Sequence, residues 1–159
     1  MSIGRFMAGI AAVIFHPSTE TYLILRRAGH RDYLAGGWEC VTGRVNQGES
    51  FEQALHREVR EETGAAVQIE FILGTSHFYR GAAVTENELL GVRYFCTIQD
   101  RAAVRMHDEH SEMAWLTAEE VYELTPHGDW LHQTIRDAET IRKHLTPELK
   151  AFYRQLWKA

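Results

Sequence analysis

Glu58, Glu61 and Glu62 fall within about one helical turn of one another, inside the stretch Gly43 to Ala65. Like charges three or four residues apart on a helix repel by about 0.2–0.5 kcal/mol per pair. A helix selected for stability alone would not gather them, so something positive is expected opposite. Carboxylates clustered where a loop becomes a helix suit a hard divalent cation, Mg²⁺ or in its place Mn²⁺. Such an ion binds few protein carboxylates and fills its shell with water and substrate phosphate. It offsets the charge of a polyphosphate, polarises the phosphoryl group and acidifies an attacking water. A carboxylate not used as a ligand can position that water or accept its proton. The competing reading is a solvated charged face balanced by Arg57 and Arg60.

The helix that carries these acids has clear ends. Ser50 is a good N-cap with Gln53 at the capping-box spacing, and Gly64 stands where a C-cap belongs. At 100° per residue, Phe51, Leu55 and Val59 form an apolar arc, which the three acids overlap and exceed at one edge. Glu52, Gln53, His56, Arg60 and Thr63 fall on the solvent face. The acids therefore border core and solvent, where a bare carboxylate is costly. That is a metal-site or salt-bridge position.

The remaining chain must hold this helix. Met7 to Phe15 is apolar but too short to span a membrane, and no small-residue cleavage pattern follows at His16-Pro17-Ser18, so it reads as a buried strand. Tyr22 to Arg27 completes a hairpin; because side chains alternate, at most one of Arg26 and Arg27 faces a pocket. Residues 28 to 37, with Gly29, Asp32, Gly36 and Gly37, read as a loop, and Trp38 to Val41 as a short apolar lead-in. Val67 to Leu73 reads as a strand stopped by Gly74, with further strands at His77 to Tyr79 and Leu89 to Thr97. Asp108-Glu109-His110-Ser111-Glu112 reads as a second acidic loop before the apolar Met113 to Leu116. His110 within it and His107 before it read as surface residues rather than a transition-metal site. Thr117 and Glu120 open a short helix, and Asp129 to Leu145 is helical with Leu131, Ala138, Ile141 and Leu145 inward. Thr146-Pro147 starts a last helix whose stripe of Leu149, Phe152, Tyr153, Leu156 and Trp157 reads as core packing, or else a dimer contact.

The 159 residues suffice for one domain spanning 1–159, its C-terminal helices from about 129 packed on the rest. A net charge of −5 argues against a basic nucleic-acid surface and requires cations for a phosphate-bearing substrate to approach an acidic site. Cys40 and Cys96 fit neither a disulfide framework nor a spaced zinc site, so free thiols in a cytoplasmic protein are expected, with no membrane partner. The oligomeric state is left open between monomer and homodimer.

The stretch from Gly43 resembles the Nudix box: Gly, five residues, Glu, seven residues, Arg-Glu, apolar, any, Glu-Glu, any, Gly, apolar. Gly43, Glu49, Arg57, Glu58, Val59, Glu61, Glu62 and Gly64 fall at those positions, with Ala65 as a small final apolar residue. Trp38-Glu39-Cys40-Val41-Thr42-Gly43 and Glu112-Met113-Ala114-Trp115-Leu116 are loosely similar to the dihydroneopterin triphosphate/dATP pyrophosphohydrolase branch of this MutT-like family. The resemblance implies an α+β fold, an α/β/α sandwich with a mixed β-sheet between helices and a loop–helix–loop metal site. It also implies a pyrophosphohydrolase of a nucleoside or pterin triphosphate, releasing pyrophosphate. ADP-ribose, a nucleotide sugar or a dinucleoside polyphosphate is the alternative substrate, and a non-catalytic nucleotide-binding module the alternative class. By position, Glu61 and Glu62 would be main metal ligands and Glu58 a ligand or the base. Arg57 would orient the acids, Glu49 would support the loop, and Gly43 and Gly64 would be structural. A downstream acid is matched by Glu109, with Glu112 second. For substrate contacts, Arg27 and Arg26 on the second strand stand beside a solubility role, and Trp38 and Tyr79 as base-stacking aromatics beside core packing.

Overall fold

The structure, a computed structural model, describes residues 4–29 and 35–157. The molecule is built on β1 (Met7–His16), whose apolar run is buried on both faces from Gly9 onward. β1 pairs with β2 (Thr21–Arg27) only through Phe15 and His16. β2 in turn holds the two-residue β3 (Trp38–Glu39). The rest of that edge of β1, Gly9 to Ala12, pairs antiparallel with β4 (Val41–Arg44). The sheet therefore divides along this edge, β2 taking the end of β1 and β4 its earlier part. β5 (Gln68–Tyr79) is the outer strand, antiparallel to β6 (Glu88–Thr97), which runs parallel to β1. β7 (His110–Leu116) lies antiparallel to β2. The result is one mixed seven-stranded sheet.

Helices cover both faces, as the α/β/α expectation required. α1 (Phe51–Thr63) sets Leu55 and Val59 on Ile10, Ala12, Leu23 and Leu25. On the other face α2 (Ala118–Leu124) and α3 (Trp130–His144) bring Val121, Leu131, Ile135 and Ala138 to Val13, Phe15 and Ile24. α4 (Pro147–Leu156) joins both layers around β5: Tyr153 packs with the α3 side, and Trp157, just past the helix, with the α1 side. Between them Arg154 clasps Glu70 of β5 with contacts of 2.6 and 2.9 Å.

Local chemistry set most element ends. Ser50, Thr117, Asp129 and Thr146 all cap as read, and Gly64 closes α1 at φ 68°. Four readings change. Gly74 does not end a strand: β5 runs through it to Tyr79, absorbing the irregularity in register shifts beside Phe71 and Gly74. The second acidic segment is not a loop throughout, since His110 to Glu112 already belong to β7, and His110 is buried. Thr63 is buried rather than solvent-facing, its hydroxyl donating to the Val59 carbonyl at 2.6 Å. Of the α4 stripe only Tyr153 and Trp157 pack; Leu149, Phe152 and Leu156 are about half exposed. Asp32 and its neighbours 30–34 in the expected loop lie outside the described residues.

Candidate active site

α1 delivers its acids from the last two turns, after Ser50 and Gln53 close a reciprocal capping box. Arg57 is the hub of the local charge. Its Nε and Nη2 donate to the two oxygens of Glu49 at 2.7 and 2.9 Å, and Nη2 also donates to the Arg44 carbonyl at 2.8 Å. Its Nη1 donates to Glu58 at 2.8 Å and Glu61 at 3.1 Å. One planar guanidinium thus ties the loop after β4 to two acids of α1, a geometry that lysine's point charge does not reproduce. These bonds hold the Glu49 carboxyl down at about 2.

Gly43 explains how closely β4 and α1 approach. A Cβ there would stand 2.0 Å from Glu58 Cδ, so the Glu58 side chain fills the space a larger residue would need. Burial, partly offset by Arg57, pushes the Glu58 carboxyl above its ordinary range.

Glu62 is the most buried of the three acids, and its Oε2 has no hydrogen-bond partner among the described residues. Burial first, then the neighbouring Glu39, Glu58 and Glu109, raise its pKa to about 9. Behind it, Arg27 binds both oxygens of Glu39 at 2.8 and 2.9 Å, and His110 Nε2 lies 3.1 Å from Glu39 and 3.8 Å from Glu62.

These groups open onto a cavity of about 920 Å³, within the range of ligand-binding clefts. The structure brings Gly43, Glu58, Glu61, Glu62, Glu109 and Arg27 to its walls. The far wall comes from the start of α3 (Trp130, Gln133, Thr134) and the end of β5 (His77, Phe78). Arg26, Trp38, Tyr79 and Glu112 are not among the described residues lining it. Instead the Arg26 guanidinium lies 5.6 Å from the Trp38 ring and pairs with Glu112 at 3.3 Å on the surface. Strand alternation separates the two arginines as expected. Glu49 and Arg57 stand just behind the wall, and Gly64 ends the helix that forms it.

Sequence reading missed Glu39 and His110. Glu39 is placed by the fold, because Leu25 pairs with Glu39 and puts it on the same sheet face as Arg27. His110 likewise reaches Arg27 only through a register shift between Arg26 and Arg27 in the β2–β7 pairing, so neither residue had a sequence signal.

A family model described as NUDIX domain matches residues 5–138. The chain belongs to the Nudix family. It is a MutT-like Nudix hydrolase, an enzyme of the pyrophosphohydrolase kind. Among curated relatives it is similar to the nucleoside triphosphatase NudI of Enterobacter sp. (strain 638), 27% identical over 105 residues, covering 62% of this chain and 74% of that protein. Among solved structures it is similar to a MutT protein from Methanosarcina mazei Go1, with TM-score 0.72, 24% identity and coverage of 90% of this chain and 99% of that one. It is also similar to the E. coli dihydroneopterin triphosphate pyrophosphohydrolase, with TM-score 0.65, 24% identity and coverage of 83% and 95%. These two likenesses show the fold.

Do the site residues of this Nudix hydrolase suit a divalent metal? Among the described residues no three His, Cys, Asp or Glu side chains converge as they stand on one point. Arg57 draws Glu58 and Glu61 to itself, which accounts for the spread. The chemistry nonetheless fits a hard cation: the donors are carboxylates, one buried Glu62 oxygen is unsatisfied, and that group's charge is disfavoured by burial and by the acids around it.

Proposed function

We propose that this Nudix hydrolase cleaves a nucleoside or pterin triphosphate to the monophosphate and pyrophosphate, with Mg²⁺ or Mn²⁺ held by Glu61, Glu62 and Glu109 and with Glu58 beside them as the base. The observation that carries the reading is the cavity whose wall carries these four carboxylates, the unsatisfied Glu62 oxygen among them. The triphosphate class is supported by the relationship to a nucleoside triphosphatase. When bound, the ion offsets phosphate charge and acidifies the attacking water.

The chain's own residues do the rest. Water attacks phosphorus, the phosphoanhydride P–O bond breaks, and pyrophosphate departs with the electron pair. Glu58, whose pKa is raised by burial, takes the water's proton; a base poised nearer neutrality does this better than an ordinary carboxylate. Arg57 keeps Glu58 and Glu61 at fixed angles, and Glu49 anchors Arg57. Arg27 and Arg93 line the cavity and contribute positive charge beside the polyphosphate.

The test is a panel of pyrophosphate compounds with Mg²⁺ or Mn²⁺, run on wild type, Glu61→Gln and Glu62→Gln. Expected are release of pyrophosphate from triphosphates and a loss of about 10²–10⁴-fold in kcat in both variants. No turnover of any pyrophosphate compound would overturn the enzyme reading, and full activity in both variants would overturn the ligand assignment. Glu109→Gln is expected to weaken metal dependence; an unchanged rate and metal profile would remove Glu109 from the set.

A further inference from the structure

Behind Glu62 stands a buried polar group of which the reaction just described uses Arg27 alone. Arg27, Glu39 and His110 come from three strands, β2, β3 and β7, and meet on the face that receives α1. Glu39 is bound at both oxygens by Arg27 and again at Oε1 by His110 Nε2. Side-chain exposures of 12% for Arg27, 7% for Glu39 and 3% for His110 put the set out of bulk water. Two of its atoms, Arg27 Nε and His110 Nδ1, lack partners among the described residues, and so does Oε2 of the adjacent Glu62. Buried ionic groups are expensive to assemble and several kcal/mol worse when half satisfied, so stability does not account for them.

The distances show what the set does. The Nε2 hydrogen must be donated to Glu39, 3.1 Å away, and leaves Glu62 Oε2 at 3.8 Å, beyond hydrogen-bond reach but in contact. Glu39 thereby holds the imidazole against Glu62 without letting the imidazole satisfy it. Arg27 offsets the charge of Glu39, so the arrangement survives next to four further carboxylates.

We propose that Glu39 and His110 are positioning residues that keep the Glu62 carboxylate turned to the cavity as a ready metal ligand, with Arg27 as the counter-charge that makes this possible. The inference rests on the metal reading of the site. Partners that orient a ligating carboxylate typically change metal affinity by about 10–100-fold when removed. The consequence falls on metal affinity and kcat; contact with the nucleoside portion of a substrate is left alone.

Mn²⁺ binding, measured by calorimetry and by electron paramagnetic resonance of free Mn²⁺, tests this on full-length wild type, Glu39→Gln, His110→Leu and His110→Gln. Glu39→Gln and His110→Leu are expected to weaken Mn²⁺ binding about 10–100-fold. Their KM for triphosphate at saturating Mn²⁺ should stay within about threefold of wild type. The Gln amide at position 110 can donate roughly where Nε2 does, so His110→Gln should recover most of the affinity. Binding within twofold of wild type in both Glu39→Gln and His110→Leu would overturn the inference. If His110→Leu does not fold, Glu39→Gln against Glu39→Asp decides by the same criterion: equal affinities in the two, both at the wild-type level, would overturn it. Wild type binding no Mn²⁺ would instead overturn the metal reading, and this inference with it.

Discussion

At neutral pH the Glu62 carboxyl faces Glu39, Glu58 and Glu109 from a buried position, and the sign of its shift has a measurable result. Its folded pKa of about 9 lies above the ordinary 4.5, so the folded state holds the proton more tightly than the unfolded chain. Stability of the metal-free protein therefore falls as pH rises from about 4.5 to about 9 through this group. Glu49 runs the other way: its pKa, depressed to about 2 by Arg57, contributes stability above 4.5 that is lost as pH falls toward 2. In urea titrations with EDTA present, Glu62→Gln should be more stable than wild type by on the order of 2–3 kcal/mol at pH 8 and nearly equal to it at pH 5. A gain that is the same at both pH values would refute the assignment. Arg57 supports a second expectation. Its five hydrogen bonds span Glu49, Glu58, Glu61 and the Arg44 carbonyl, so Arg57→Lys should lower kcat about 10²-fold through misplaced acids while moving KM little. Steady-state kinetics separates the two parameters.

Among the elements, the contact of β4 with α1 sets the tightest tolerance. Gly43→Ala puts a methyl on the Glu58 carboxyl carbon, and Glu58 cannot yield without leaving Arg57. Activity should fall about 10²-fold while the far-UV circular dichroism stays that of wild type. A fully active Gly43→Ala protein would show that Glu58 need not sit where the structure has it. The α1 side of the site was legible because everything it uses is local: caps, helical spacing and alternating charge lie within 23 residues. β1, β2 and the inward positions of α3 were legible for the same reason, through continuous apolar runs and 3.6-residue periodicity. Glu39 and His110 were not, since their roles arise from pairing between strands distant in sequence and from a register shift in the β2–β7 pairing. Gly74 misled in the opposite direction. Inside a long paired strand a glycine is a place to bulge, and only the pairing with β6 tells that apart from a stop.

For the molecule as a whole, the two cores on either side of the sheet meet at the C-terminal helix, where Tyr153 of α4 joins one and Trp157, just past it, the other. The Arg154–Glu70 clasp between them involves a buried carboxylate, although the arginine is half exposed. Arg154→Ala should destabilise the fold by about 1–3 kcal/mol, measured as a shift in urea midpoint, and leave KM unchanged because Glu70 lies away from the cavity. The same helix guards an outer strand twelve residues long, on which Ile72 and Phe78 are already partly exposed. Such a strand offers its unpaired peptide groups to any other chain that passes, and proteins that leave one bare tend to polymerise through it. The last helix is thus a guard against cross-chain β pairing as well as a brace. A chain ending at Leu145 would keep every residue assigned to catalysis and should still be lost from solution by self-association.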